Sequence, residues 1–529
     1  MSREIFENVQ RPKLKRSRID LSYQNAYTCR FGELIPTYVE EVIPTDKALF
    51  SAAPFVRAMP LSAPIMGNVD LRMYYFYVPY RIIWENFEEF ITGGRLGTST
   101  PEVPYYPAQN GVLDENNVSS HLLDYFKMSN VVHRSGGTYL HNPKVVALCL
   151  RAYWKIIDDY FRDQNLMDSF FDDTKKNYIS LGDGNISALP GYGIINGYSL
   201  KKPFFKAWDK DLFTSALPFA QRGAPVQIPV GSDIMYKDDS TSGYYDVKVR
   251  KLVNDEDLLI ASPGAQSGTG SFVTSPLQGE SFNINDLRTA SAIQRFLEYN
   301  AIGGSRYKEQ IMTHFGSTVP DFRLDRPEFI CGMRTPVMVS QVTQQSQTTD
   351  SGALGTLGAN LSASGVIKPR KYYFPEHGLV IGLTCIVPQA SYSQGVARRN
   401  LKFDKLDHFF PYFENLGEQE IYNAELYAKG DADDMKSFGY APRYYEYKHR
   451  ENEVHGLFRD QLAYWLPQRI FSSPPALNSD FVSVDPSKET SLNNIFAVTD
   501  SSQDQFYCVV NNLAKFVRPV SKYSKFLLR

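Results

Sequence analysis

Residues 295–346 read RFLEYNAIGGSRYKEQIMTHFGSTVPDFRLDRPEFICGMRTPVMVSQVTQQS. The order is a helix, a turn, a second short helix, a proline-punctuated loop and a strand. Gly303 and Gly304 break the first helix, and Ser305 is placed to cap the second. Tyr307, Ile311, Met312 and Phe315 share one face of that second helix, with Gly316 just past its end. Pro320, Pro327 and Pro336 keep the following segment extended, and TPVMVSQV alternates as a half-buried strand does. No catalytic motif has this layout.

Working outward, GELIPTYVEEVIPT and LRMYYFYVPY are the first clear strands. The second carries Met73, Tyr75 and Tyr77 on one side and Tyr74, Phe76 and Val78 on the other, so it is expected between two layers. FSAAPFVRAMPLSAPIMG joins them as a Pro-rich connection. In VPYRIIWENFEEFITGG, Ile83, Phe87, Phe90 and Ile91 recur at helical spacing and Gly93-Gly94 is the stop. Residues 95–141 read as loop, with one helical piece around HLLDYFKM. Asn142-Pro143 then opens a long helix, PKVVALCLRAYWKIIDDYFRDQN, with Val145, Cys149, Ala152, Ile156 and Tyr160 as its buried stripe. Beyond the opening stretch, residues 347–367 are small and flexible, and GLVIGLTCIVPQ is a strand from 378. Residues 390–471 are irregular and aromatic, QFYCVVNN is a late strand, and LAKFVRPVSKYSKFLLR is a basic tail. Scattered strands separated by helical insertions, with no internal repeat, fit an elaborated antiparallel barrel better than an alternating βα sheet.

Composition narrows the class. The 529 residues are 14% aromatic and carry a net charge of -2, which excludes a uniformly basic nucleic-acid protein. Mean hydropathy is -0.33, and 31 prolines with 35 glycines imply long irregular connections. Such connections are commonly stabilised by neighbours, which points to an assembly subunit. Cys29, Cys149, Cys331, Cys385 and Cys508 are far apart, odd in number and without metal or redox spacing, so free thiols in a reducing compartment are expected. The N-terminal residues lack the apolar core of a signal peptide. No run of about 18 apolar residues exists, so no membrane span is expected, and the reading is a soluble protein made in a cytoplasm.

Four separated blocks carry a resemblance. They are RAMPLSAPIMG through FITGG; FTSALPFAQRG; GGSRYKEQIMTHFG with PDFRLDRPEF and VSQVTQQS; and EVHG, FRDQL and the W-x-x-x-R of Trp465 to Arg469. YFRDQN belongs with them. In these blocks, and in their order, the chain resembles the major capsid proteins of the microviruses, small tailless phages with single-stranded DNA. The resemblance implies a mainly β fold, an eight-stranded antiparallel jelly-roll barrel with large loop and helix insertions, of viral capsid type. It implies a basic arm over residues 1–20, one domain over 21–529, and within it a variable surface insertion at 232–281, a candidate threefold protrusion. The implied role is a structural, non-enzymatic subunit that self-assembles through pentamers into a T=1 icosahedral shell around circular single-stranded DNA. Implied partners are further copies of itself, the packaged DNA, a small basic DNA-binding virion protein, an internal scaffolding protein and a host surface receptor, with a glycan as one candidate. No cofactor is implied. The implied location is the virion, assembled in the host bacterial cytoplasm.

Two segments have a physical case for nucleic acid. The arm carries Arg3, Arg11, Lys13, Lys15, Arg16 and Arg18 against Glu4, Glu7 and Asp20. The tail carries Lys515, Arg518, Lys522, Lys525 and Arg529 interleaved with Phe516, Tyr523 and Phe526, a mix that neutralises phosphate and stacks on unpaired bases. The alternative for both is plain solvation, with the tail's aromatics packed on the shell. Trp84, Tyr307, Phe322, Arg323, Arg326 and Trp465 are nominated as interface anchors, the alternative being core, and Arg326→Glu is expected to impair pentamer or shell assembly while leaving the monomer soluble.

Other chemistry is weak. There is no P-loop, dinucleotide fingerprint, HExxH or GxSxG. Asp350-Ser351-Gly352 is a single copy of aspartic-protease letters in a Gly/Ser-rich loop. His449 and His455 with Glu451 and Glu453 are metal ligands on paper, the alternative being polar contacts or a subunit interface. Asp431, Asp433 and Asp434 read as a solvated turn, and Asp172, Asp173 and Asp183 lack EF-hand spacing. Two competing classes remain: a carbohydrate-active enzyme on a β-sandwich, which needs a close carboxylate pair in a cleft, and a spike or host-attachment protein of the same kind of virion.

Overall fold

The computed structural model describes residues 15–106, 109–112, 122–128, 130–134, 137–170, 194–195, 198–199, 202–223, 235–237, 244–246, 284–304, 306–343, 355, 357–500 and 503–522. Two antiparallel sheets dominate. Their strands are β1 (Ser17–Asp20), β2 (Tyr23–Cys29), β3 (Ile35–Val42), β4 (Lys47–Ala58), β5 (Val69–Pro79), β6 (Glu328–Pro336), β7 (Met338–Thr343), β8 (Leu357–Ser364), β9 (Arg370–Tyr373), β10 (Gly378–Pro388) and β11 (Phe506–Arg518). The first sheet runs β1–β11–β4–β8–β7, with β2 also on β11 and β9 also on β4. The second runs β6–β5–β10–β3.

β5 and β10 are the strands whose both faces are apolar, and both lie at the centre of the second sheet. One face meets the first sheet. There Phe50 of β4 sits among Tyr38, Tyr75, Phe374 and Phe516, with ring centroids 5.7–6.2 Å away. The Tyr75 hydroxyl donates to Asn512 Oδ1 at 2.8 Å, and Asn512 Nδ2 donates to the Thr37 carbonyl at 3.1 Å, so the buried polar atoms satisfy one another across the sheets. The other face is covered by residues 148–161: Phe161 packs on Tyr74 at 5.3 Å and Tyr160 on Phe76 at 4.8 Å. The expectation of a strand between two layers is met for this physical reason.

Several local expectations are corrected. No helix begins at Asn142-Pro143: Asn142 ends a strand and Val145–Val146 pairs with Tyr105–Tyr106. The helix there, α2, starts at Leu148 and runs to Ile156, following α1 (Phe87–Thr92). It is buried nearly all round, so the single stripe at Val145, Cys149, Ala152, Ile156 and Tyr160 understated it. α2 then widens into a π turn, Ile157–Phe161, closed by Arg162 N–H on the Ile157 carbonyl at 2.8 Å. The helix expected across 80–92 is two pieces, a 3-10 turn at Tyr80–Ile82 and α1, because the intervening Trp84 ring turns into the core beside Phe87 and Phe90. Gly93 stops α1 in the left-handed conformation, as expected. Residues 357–364, expected to be flexible, form β8. The late strand does not stop at Asn512 but continues through Arg518, so the first third of the supposed tail is sheet. β7 lies at a sheet edge with only β8 beside it and is mostly exposed, not half-buried.

The opening stretch forms α3 (Ile284–Gly303) and α4 (Tyr307–Phe315). The glycines end each helix as read, but Arg306, not Ser305, is the cap residue, and its N–H donates to the Glu309 carboxylate at 3.3 Å. A second apolar cluster, built on Phe213, Tyr392, Ile421, Phe438 and Phe481, lies under the long connections. Most of 232–281 lies outside the described residues; within it Met235–Lys237 pairs with Tyr244–Asp246.

Candidate assembly surfaces and a basic groove

The sequence blocks that stand apart along the chain converge in space. The π turn exposes main-chain carbonyls: Asp158 accepts Arg306 Nη2 at 2.6 Å and Asp159 accepts Arg326 Nη2 at 2.6 Å. Gln164 Nε2 donates to Glu309 at 2.7 Å, the Tyr160 hydroxyl to the Pro327 carbonyl at 2.5 Å, and Arg222 to Asn165. YFRDQN thus clamps GGSRYKEQ, DFRLDRPEF and the end of FTSALPFAQRG. A second clamp joins FTSALPFAQRG to the residues before EVHG, where Leu212 N–H donates to Glu451 at 2.6 Å and Leu217 bridges to Tyr440. Burial pushes the Asp159 carboxyl up, and the Lys155 and Arg326 charges pull it back only in part.

This geometry sorts the nominated anchors. Trp84 is buried core, and Arg326 faces Asp159 (3.6 Å) and the Tyr160 ring (5.1 Å) within the subunit. Trp465 is half-buried. Tyr307, Phe322 and Arg323 are exposed. On α3 and α4, Phe296, Tyr299, Ile302, Met312 and Phe315 are exposed as well, the last 81% exposed, while Phe322 and Arg323 lie on the 3-10 turn Asp321–Leu324. Of the four residues that the sequence puts on one face of α4, Tyr307, Met312 and Phe315 are exposed and Ile311 is half-buried. A second surface, not anticipated, is the loop of 403–416, with Phe403 81% and Tyr412 91% exposed. Its composition signal was the aromatic irregular segment, but nothing in the sequence says which rings face outward.

The basic segments divide. Arg11, Lys13, Lys525 and Arg529 lie outside the described residues. Lys15 and Lys522 are exposed, and Arg16 donates to the Thr45 carbonyl at 2.9 Å. Arg518 turns back onto Asp46 (2.8 Å), Glu40 (3.4 Å) and the Glu41 carbonyl, which removes it from the free cations. Burial raises the Asp46 and Glu40 carboxyls and Arg518 pulls both back. Arg18 and Lys515 come together, because β1 pairs with the end of β11, and with Lys47 and Lys371 they line a groove of about 790 Å³. Lys47 and Lys371 were missed; they are remote from the termini and become neighbours only through sheet pairing.

Metal chemistry finds no support among the described residues, where no group of three ligating side chains forms. His449 pairs with Glu451 at 2.7 Å and His455 with Glu453 at 3.2 Å. Asp431 accepts the Asp433 N–H and pairs with Lys429, as a solvated turn would. Asp350-Ser351-Gly352, Asp172, Asp173 and Asp183 lie outside the described residues. No described helix is long and apolar enough to cross a membrane.

Two packed antiparallel sheets with long insertions that present apolar rings outward make a mainly β protein, consistent with a β capsid fold. The profile of the phage capsid protein (F protein) family matches residues 7–527, and the chain belongs to that family. It is 31% identical to capsid protein VP1 of Chlamydia phage 1, covering 98% of this chain and 96% of that protein. It is 30% identical to capsid protein VP1 of Bdellovibrio phage phiMH2K, covering 92% and 91%, and 28% identical to that of Spiroplasma virus 4, covering 89% and 88%. All three are microviruses, as the sequence resemblance implied.

Proposed function

We propose that this chain is the major capsid subunit of a virion, associating through pentamers into a closed T=1 icosahedral shell around circular single-stranded DNA. The carrying observation is that a chain matched to the capsid family along nearly its whole length leaves Phe315, Phe403 and Tyr412 outward on ordered helices and turns. Exposed apolar surface of this kind is suited to burial against a second copy, and closed symmetry ends such growth. The sheets support the jelly-roll reading. The strands β2–β11–β4–β8 in one layer and β3–β10–β5–β6 in the other are compatible with the two four-stranded layers of that fold, with β1, β7 and β9 as additions to the first sheet. The subunit works by association, with no bond made or broken. Its net charge of -2 leaves most genome charge to be neutralised elsewhere, which favours a small basic virion protein as partner. An internal scaffolding protein, a host surface receptor, a protrusion built from 232–281 and assembly in the host cytoplasm belong to the same reading.

Size-exclusion chromatography and negative-stain electron microscopy of the purified chain test it. Pentamers or closed shells of uniform diameter are expected as concentration rises. A chain that stays monomeric at every concentration, alone and beside its virion partners, would sink the proposal.

A further inference from the structure

We infer that the outward face of β1, β11, β4 and β9 is a binding groove for single-stranded nucleic acid, with Arg18, Lys47, Lys371 and Lys515 as phosphate contacts and Tyr373 as a stacking platform. The inference deepens the capsid reading and rests on it for the identity of the ligand.

Strand register builds the face. Lys371 lies opposite Leu49, Leu49 opposite Lys515, and Lys515 opposite Asp20; one step on, Tyr373 lies opposite Lys47, Lys47 opposite Val517, and Val517 opposite Arg18. The intervening residues Ala48 and Phe516 point into the core, so these two rows share the outer face. With strands about 4.8 Å apart, the four-strand platform is about 14 Å wide. It carries four cations and one carboxylate. Arg18, Lys47 and Lys371 are exposed and make no ion pair with the described residues. Asp20 is held below the usual carboxylate range, first by the Ser22 hydroxyl and N–H and then by Lys515, so it is satisfied locally.

The chemistry favours nucleic acid over an acidic peptide or a lipid surface. The cations are spread in two rows with an exposed tyrosine ring and the aliphatic Leu49 and Val517 between them, a combination that pairs charge with flat apolar area. No large apolar side chain projects from the groove to enter a bilayer. Arg518, which sequence alone would add, is excluded because Asp46 and Glu40 hold it.

The test is fluorescence anisotropy of a labelled oligo-dT on the full-length chain, with K47E/K371E and K47Q/K371Q against an R95E control. Both double variants should weaken binding by about tenfold or more at 0.1 M salt and lower the salt slope by about 1.4, while R95E changes nothing. Thermal unfolding should be unaltered, since all the changed side chains are exposed. Equal affinity of wild type and both double variants would overturn the groove, as would groove-dependent binding of poly-Glu with the same strength as oligo-dT. Particle formation separates this from the parent reading. Shells of K47Q/K371Q in normal number with normal DNA content would count against the groove alone, and failure of the wild type to form particles would count against the capsid.

Discussion

At the scale of single residues, the junction at the π turn is where charge is spent. Arg326 faces the partly buried Asp159 carboxylate and the Asp159 carbonyl, and it sits over Tyr160. Removing it leaves a carboxylate that burial already pushes up with Lys155 as its one remaining cation among the described residues. Arg326→Ala should therefore destabilise the fold by about 3 kcal/mol at neutral pH. The sign of the pH effect follows from Asp159. Its raised value rises further in the variant, so the deficit is felt above that value and shrinks as pH falls and the carboxyl takes a proton. Urea unfolding at pH 7.5 and 5 should show the gap between wild type and variant narrowing at the lower pH; a constant gap would rule out Asp159 as the source. Arg326→Glu, expected to impair assembly, should on this geometry also destabilise the fold. The sequence showed the arginine but not its partner, which lies 167 positions away.

Among elements, β4 and β11 are the spine of the first sheet, paired from Phe506↔Ala58 to Val517↔Lys47. Phe50 packs against rings from both sheets, so Phe50→Ala should cost about 3–5 kcal/mol, read as a lower urea midpoint. A loss below about 1 kcal/mol would mean that the aromatic cluster is not the joint between the sheets. β5 and β10 were legible because strands buried on both sides are continuously apolar. β8 was not, because LGANLSAS is small and polar and becomes a strand only where β4 and β7 flank it. The second half of β11 was hidden because Lys515 and Arg518 read as a solvated tail, while every other residue in fact points inward.

For the whole molecule, the outward rings are the proposed contacts between copies. Phe315→Ser and Tyr412→Ser remove exposed side chains and should leave stability within about 0.5 kcal/mol of wild type. Particle yield should fall severalfold for the surface that is buried on assembly. If both variants assemble normally, these surfaces are not the contacts between copies and the apolar area must serve another partner. The groove on β1, β11, β4 and β9 makes a further demand at this scale, that its face of the sheet looks into the lumen of the shell.

The sequence alone settled the class, since four blocks in a fixed order carried the family and the apolar periodicity carried the buried strands and the glycine-stopped helices. The tertiary structure alone decided which side chains are free. Pairing of distant strands put Lys47 and Lys371 beside Arg18 and Lys515, folded Arg518 onto Asp46, and sank Trp84 while leaving Tyr412 in solvent. The physical reason is that a residue's chemical type is local, whereas its burial and its partner depend on chain segments hundreds of residues away.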